Sequence, residues 1–170
     1  MRIDGIGEMT LDQVIELWAK HLHVEPGAPI NPAAILRAIA AVETSSGARS
    51  QASRHEAAYC YGGRYHNAQL AELSRTWGCA AHESWGPWQI MYVTAVEAGY
   101  RGDPVGLRDP EASIGPVLTV LNRRVMDKLA DETPADIFDC WNSGNPRDSI
   151  VPADYIAKAA AAYSRFGGAP

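Results

Sequence analysis

No apolar run in the 170-residue chain approaches the length needed to span a bilayer. The opening Met-Arg-Ile-Asp-Gly-Ile-Gly-Glu-Met-Thr lacks the apolar centre of a secretory signal. No membrane span or signal peptide is expected, and the chain reads as a cytoplasmic product or a piece of something larger. Basic charge is also short: Lys and Arg number 15 against 20 Asp and Glu, a net charge of -5. That argues against a nucleic-acid partner, which needs a basic face to release counterions. Cysteine is sparse, and Cys60, Cys79 and Cys140 make an odd count. A Cys60–Cys79 disulfide is compatible with it, but reduced, partly buried thiols are preferred. No Gly-x-Ser-x-Gly is present and no Cys-His pair carries a nucleophile signature. Cys60, His66, Cys79 and His82, with His55, are residue types that zinc favours, yet their spacing matches none of the usual ligand pairs. Neither a metal nor another cofactor is therefore expected. No segment shows the strict alternation of a half-buried strand, and there is no internal repeat or low-complexity tract.

The length suits one domain, residues 1–170, and 46% hydrophobic with 21% charged residues is ordinary for a globular chain. Thr10 caps an amphipathic segment in which Leu11, Val14, Ile15, Trp18 and Leu22 recur at helical spacing, closed by Pro26-Gly27-Ala28-Pro29. A second helix follows from Asn31, a favourable N-cap, through Pro32, with Ser45-Ser46-Gly47 as its stop. At about 100° per residue, Val42, Ile35, Ile39 and Leu36 share an apolar arc of roughly 120°. Glu43 falls inside that arc, between Ile39 and Leu36, and in the last turn it also meets the negative end of the helix dipole. Both influences disfavour its charged form, and a raised pKa is what a general acid near neutral pH requires.

Residues 48–91 are irregular and rich in Gly, Tyr and Trp. Most of Tyr59, Tyr61, Tyr65, Trp77, Trp85, Trp88, Tyr92 and Tyr100 are expected to fill the core, although aromatic faces also hold sugars. A short helix from about Asn67 to Trp77 is expected to break the loop, and a small hairpin inside 48–66 is left open. Further helices are read from Tyr92 to Gly99, from Asp109-Pro110 with Ile114, Val117, Leu118, Leu121, Val125 and Leu129 on one face, and from Thr133-Pro134. The last starts at Pro152, with Tyr155, Ile156, Ala159, Ala160 and Tyr163 in one stripe. Arg101-Gly102-Asp103-Pro104 is taken as a turn. The fold class is mainly α.

Five fragments now fall into one order. They are Ala-Val-Glu43-Thr-Ser; Ser84-Trp85-Gly86-Pro87-Trp88-Gln89-Ile90-Met91 with Thr94-Ala95; Asp109-Pro110-Glu111-Ala112; Cys140-Trp141-Asn142-Ser143-Gly144; and Asp154-Tyr155-Ile156-Ala157-Lys158. Together they resemble the soluble lytic transglycosylase domain of the lysozyme-like family, over roughly residues 31 to 166. The resemblance implies helices around a cleft that holds a peptidoglycan strand, cut by a monomer. Residues 1–30 are then an N-terminal packing helix and linker, and 48–85 an aromatic-rich insert. Glu43 falls on the family's catalytic acid. Gly86, Trp88, Gln89 and Ile90 fall on the turn beside the sugar subsites, Trp141 and Asn142 on the third motif, and Tyr155 on the late tyrosine near the cleavage point. Pro87-Trp88 replaces the usual Leu-Met and Trp141 the usual Tyr, which implies a bulkier sugar-facing surface.

The implied substrate bond is MurNAc-β-1,4-GlcNAc. A substrate N-acetyl group can replace a second carboxylate, so one Glu serves as acid and base in a transglycosylase. Glu56 and Glu83 are the candidate second carboxylates that would make the protein a muramidase instead. The reading of a different class is a non-catalytic glycan-binding or phage-structural module. A wall-cleaving protein without a leader suggests a phage lysin, a virion-associated enzyme, or an effector exported by another route.

Overall fold

Seven α-helices and a three-stranded sheet form among the residues that a computed structural model describes: 8–45, 53–127, 132–145, 147 and 150–169. Helix α1 (Leu11–Trp18) begins with a capping box, in which Thr10 Oγ1 accepts from the Gln13 amide and Gln13 Oε1 accepts from the Thr10 amide. It buries Val14 and Ile15. Helix α2 (Pro32–Thr44) is capped by Asn31, whose side chain accepts from the Ala34 amide. Ala34, Ile35, Leu36, Ala38, Ile39 and Ala40 are all wholly buried, so α2 is covered on more of its circumference than its large apolar residues alone suggest. It stops where Ser45 turns left-handed, at φ 54°. Ser46 and Gly47, read as part of the stop, lie outside the described residues, as does Leu129.

The expected short helix is α3 (Ala68–Trp77), capped by Asn67. Helix α4 (Tyr92–Glu97) follows the sheet, and α5 (Pro110–Leu121) runs into a wider π turn (Asn122–Met126) closed by the Asp127 amide on the Asn122 carbonyl. Asn122 fastens that turn to the end of the first helical segment, accepting from the His23 amide and donating to the His21 carbonyl. Helix α6 (Pro134–Ser143) starts with a second capping box, Thr133 and Asp136. Helix α7 (Ala153–Arg165) buries Ala159, Ala162 and Tyr163. Ala160, expected in its buried stripe, is exposed, because Ala162 takes the inward place. No helix among the described residues is long and apolar enough to cross a membrane.

The sheet answers the question left open about a hairpin inside 48–66. Strand β1 (Arg54–His55) does lie inside 48–66, but its partner is β2 (Glu83–Trp85), and the tight hairpin joins β2 to β3 (Ile90–Met91). Strands this short cannot display an alternation. The Cys60 Sγ lies 3.1 Å from His55 Nε2, Cys79 is exposed, Cys140 is buried, and none of the three is in a disulfide. His82 is held by Ser74 and by the Tyr59 carbonyl, and no group of three or more His, Cys, Asp or Glu that could hold a metal assembles among the described residues. The Arg-Gly-Asp segment is a turn in which Asp103 accepts from the Gly106 amide.

The β2–β3 turn is locked to α2. Gly86 has φ 76°, and a Cβ there would run into the Leu107 carbonyl, so only glycine fits. Thr44 Oγ1 donates to the Pro87 carbonyl at 2.7 Å, and Trp88 Nε1 donates to the Leu36 carbonyl at 3.0 Å. Trp88 is 0% exposed. The sugar-facing role read for it is therefore replaced by a packing role: its ring fills the space between the turn and α2. Trp88→Ala should destabilise the protein by about 3–5 kcal/mol in denaturant titration, and Thr44→Val by about 1 kcal/mol or more through loss of the buried hydroxyl that Pro87 and Ala40 share.

Candidate active site

Glu43 sits in the last turn of α2, on the arc that carries Ile39 and Leu36. Burial pushes its carboxyl above the ordinary carboxylate range; the hydrogen bond from Tyr155 and the charge of Arg54 draw it back, and the charge of Glu56 raises it. Tyr155 Oη donates to Glu43 Oε1 at 2.8 Å. That bond links the end of α2 to the first turn of α7, the two helices with the most extensive mutual packing. Burial, followed by the charge and bond of Glu43, holds the Tyr155 hydroxyl well above the usual phenol range, while Asn142 acts in the opposite direction. Tyr155 is thus a fixed donor.

Across from α2, Arg54 Nε meets Glu56 Oε1 at 2.5 Å. Burial works against the charge of Arg54, but Glu56 and Glu43 together keep it firmly protonated. The two residues stand two apart in the chain and line the same cleft.

A cleft of about 510 Å³ opens over Glu43. One side is Gln89, Ile90 and Met91 from the hairpin, with Ser84 and Thr94; the other is Arg54, Glu56, Tyr59 and Tyr65 from the insert. Val120 and Arg124 contribute from the α5 segment, and Trp141, Asn142 and Gly144 from the end of α6. Gln89 is held in the left-handed region at φ 48°. Its side chain accepts from Ser84 Oγ at 3.1 Å and donates to the Gly86 carbonyl at 3.0 Å, which fixes it at the cleft edge. Tyr59 and Tyr65 pack ring to ring with centroids 5.1 Å apart.

Of the residues singled out in the sequence, Glu43, Gln89, Ile90, Trp141, Asn142 and Glu56 therefore meet at one cleft, and Tyr155 joins them through its bond to the acid. Gly86 and Trp88 are buried and do not line it. Glu83 stands in β2 opposite His55, away from the lining. Arg54 and Arg124 were not anticipated. The Arg-x-Glu spacing of 54 and 56 puts both side chains on one face of an extended segment, a signal that a two-residue strand leaves unadvertised.

The directions around Glu43 can be read by titrating its carboxyl with NMR. Tyr155→Phe removes a donor to the carboxylate and should raise its pKa; Glu56→Gln removes a negative charge and should lower it. Stability follows by linkage. Because the folded state holds the proton above the ordinary value of 4.5, it gives up stability as pH rises from there through the raised pKa. Glu43→Gln should accordingly melt higher than the wild type at neutral pH, with the difference shrinking in acid. Compared with protein-family models, curated proteins and solved structures, the chain gives no significant match.

Proposed function

We propose that the protein is a lysozyme-like, peptidoglycan-cleaving glycosidase, a lytic transglycosylase with Glu43 as general acid and base. The observation that carries this reading is the convergence of Glu43, Gln89, Asn142 and Tyr155, spread over more than a hundred positions of sequence, around one protonatable carboxyl in an open cleft. Protonated Glu43 gives its proton to the glycosidic oxygen as the bond from C1 of the muramoyl sugar breaks. The substrate N-acetyl oxygen closes on C1 and holds the developing charge. The sugar's own 6-hydroxyl then attacks C1 and displaces the N-acetyl oxygen, Glu43 takes up the proton of that hydroxyl, and a 1,6-anhydro end is left. Tyr155 supports this cycle by bonding the carboxylate form of Glu43 after the first proton transfer.

Glu56 favours a second reading, hydrolysis, because it lines the same cleft. Arg54 occupies its Oε1, so Oε2 is the oxygen that would take a proton from water. Such chemistry suits a phage lysin or virion-associated enzyme acting on the bacterial wall.

Digestion of purified peptidoglycan with mass analysis of the released fragments tests the proposal. Anhydro ends, lighter by one water, are expected; reducing ends mean a muramidase, and no digestion by the wild type sinks the enzymatic reading in favour of a binding module. Glu43→Gln should lose about 100-fold or more in rate. Glu56→Gln should keep most of the activity of a transglycosylase and abolish that of a hydrolase.

A further inference from the structure

The cleft holds charge that the proposed chemistry leaves unused. Two acids and two bases line it: Glu43, Glu56, Arg54 and Arg124. Arg54 and Glu56 neutralise each other at 2.5 Å. Glu43 is uncharged when it carries the proton it must donate. One positive charge remains, on Arg124, and no carboxylate stands within ion-pair distance of it among the described residues. In a protein of net charge -5, a cleft whose working state is net positive is selective for something.

The placement of Arg124 is built. It lies in the π turn after α5, where Asn122 is held on both sides by backbone of the residue 21–23 segment. Arg124 stands four positions after Val120, one helical turn on, so the two share a face, and both line the cleft. The guanidinium rests beside Gly144: its Nη1 is 3.6 Å from where a Cβ would stand on that residue. The negative end of α6 lies close, yet no hydrogen bond from Arg124 to its carbonyls occurs among the described residues. The half-buried guanidinium has thus given up part of its hydration, while no protein group among the described residues accepts from its planar set of donors. Its charge also reaches the Tyr59 hydroxyl on the insert wall.

We infer that Arg124 forms a carboxylate-binding subsite, so that the cleft selects a glycan carrying an acidic side arm on the sugar held beside Trp141 and Gly144. The inference rests on the glycan-cleaving reading and narrows it. A muramoyl unit bears such an arm on its 3-oxygen, ending in the lactyl carboxylate when peptide is absent and in peptide carboxylates when it is present. A polymer of N-acetylglucosamine has the same backbone and no acid.

Calorimetric titration of Glu43→Gln protein tests this without cleavage, and its neutral Gln keeps the charge balance of the protonated acid. The probes are a chito-oligosaccharide, a peptide-free GlcNAc-MurNAc oligosaccharide, and the same oligosaccharide with its lactyl group capped by a stem peptide. Adding Arg124→Gln should weaken the peptide-free acidic ligand, the peptide-capped one, or both by about tenfold or more, and leave the neutral ligand unchanged. Arg124→Lys should recover part of the loss. Dependence on Arg124 with the peptide-free ligand assigns the lactyl carboxylate; dependence confined to the capped ligand assigns the peptide. Equal loss for neutral and acidic ligands, with a lowered melting temperature, makes Arg124 a support for the end of α6 and overturns the subsite. Unchanged binding of all three overturns the subsite and leaves the glycan reading standing, whereas no binding of any saccharide overturns both.

Discussion

A carboxyl group largely withdrawn from water at the negative end of a helix must be given partners, and much of the arrangement around α2 answers that demand. Glu43 has apolar neighbours on its own helix and a dipole that opposes its charge. Tyr155 supplies one donor from α7, and Arg54 supplies a positive field from β1. Neither compensates burial fully, so the carboxyl stays easier to protonate than one in water. The packing of α7 on α2 is what makes the arrangement permanent, since Tyr163 bonds the Asn31 amide at the start of α2 while Tyr155 bonds Glu43 at its end. The two helices are registered at both ends by phenol hydroxyls.

Charge in the cleft is organised by what is paired. The Arg54–Glu56 pair keeps a second acid near Glu43 without adding an uncompensated negative charge. That restrains the rise in the Glu43 pKa that a free neighbouring carboxylate would cause. Arg124 is the opposite case, a cation beside a glycine with no ion-pair partner among the described residues.

Much of the helical framework was legible because it is written in short-range signals. Asn31, Asn67, Asp109 and Thr133 each cap the helix that their position announces. The burial of Glu43 was also legible, from the arc it shares with Ile39 and Leu36. The sheet was not, because strands of two and three residues cannot show a period and the pairing of Arg54 with Ser84 spans the whole insert. Trp88 was misplaced for a related reason. A tryptophan in a turn next to a suspected sugar site reads the same whether its ring faces the ligand or the core, and only the distant Leu36 carbonyl decides which. Arg124 was hidden because the apolar stripe read for its helix runs through Val117, Leu121 and Val125, and a charge off that stripe reads as solvent-facing.

The clasp of Thr44 on Pro87 and of Trp88 on Leu36 makes the two sides of the cleft unequal in their tolerance of change. On the α2 side, Glu43, turn and hairpin are one packed unit, and a substitution there also displaces the carboxyl in the cleft. On the insert side, β1 and the turn carrying Tyr59 bury no residue completely. Variation in the shape of the cleft can accumulate there at small thermodynamic cost, so one wall is a fixed frame and the other an adjustable gauge.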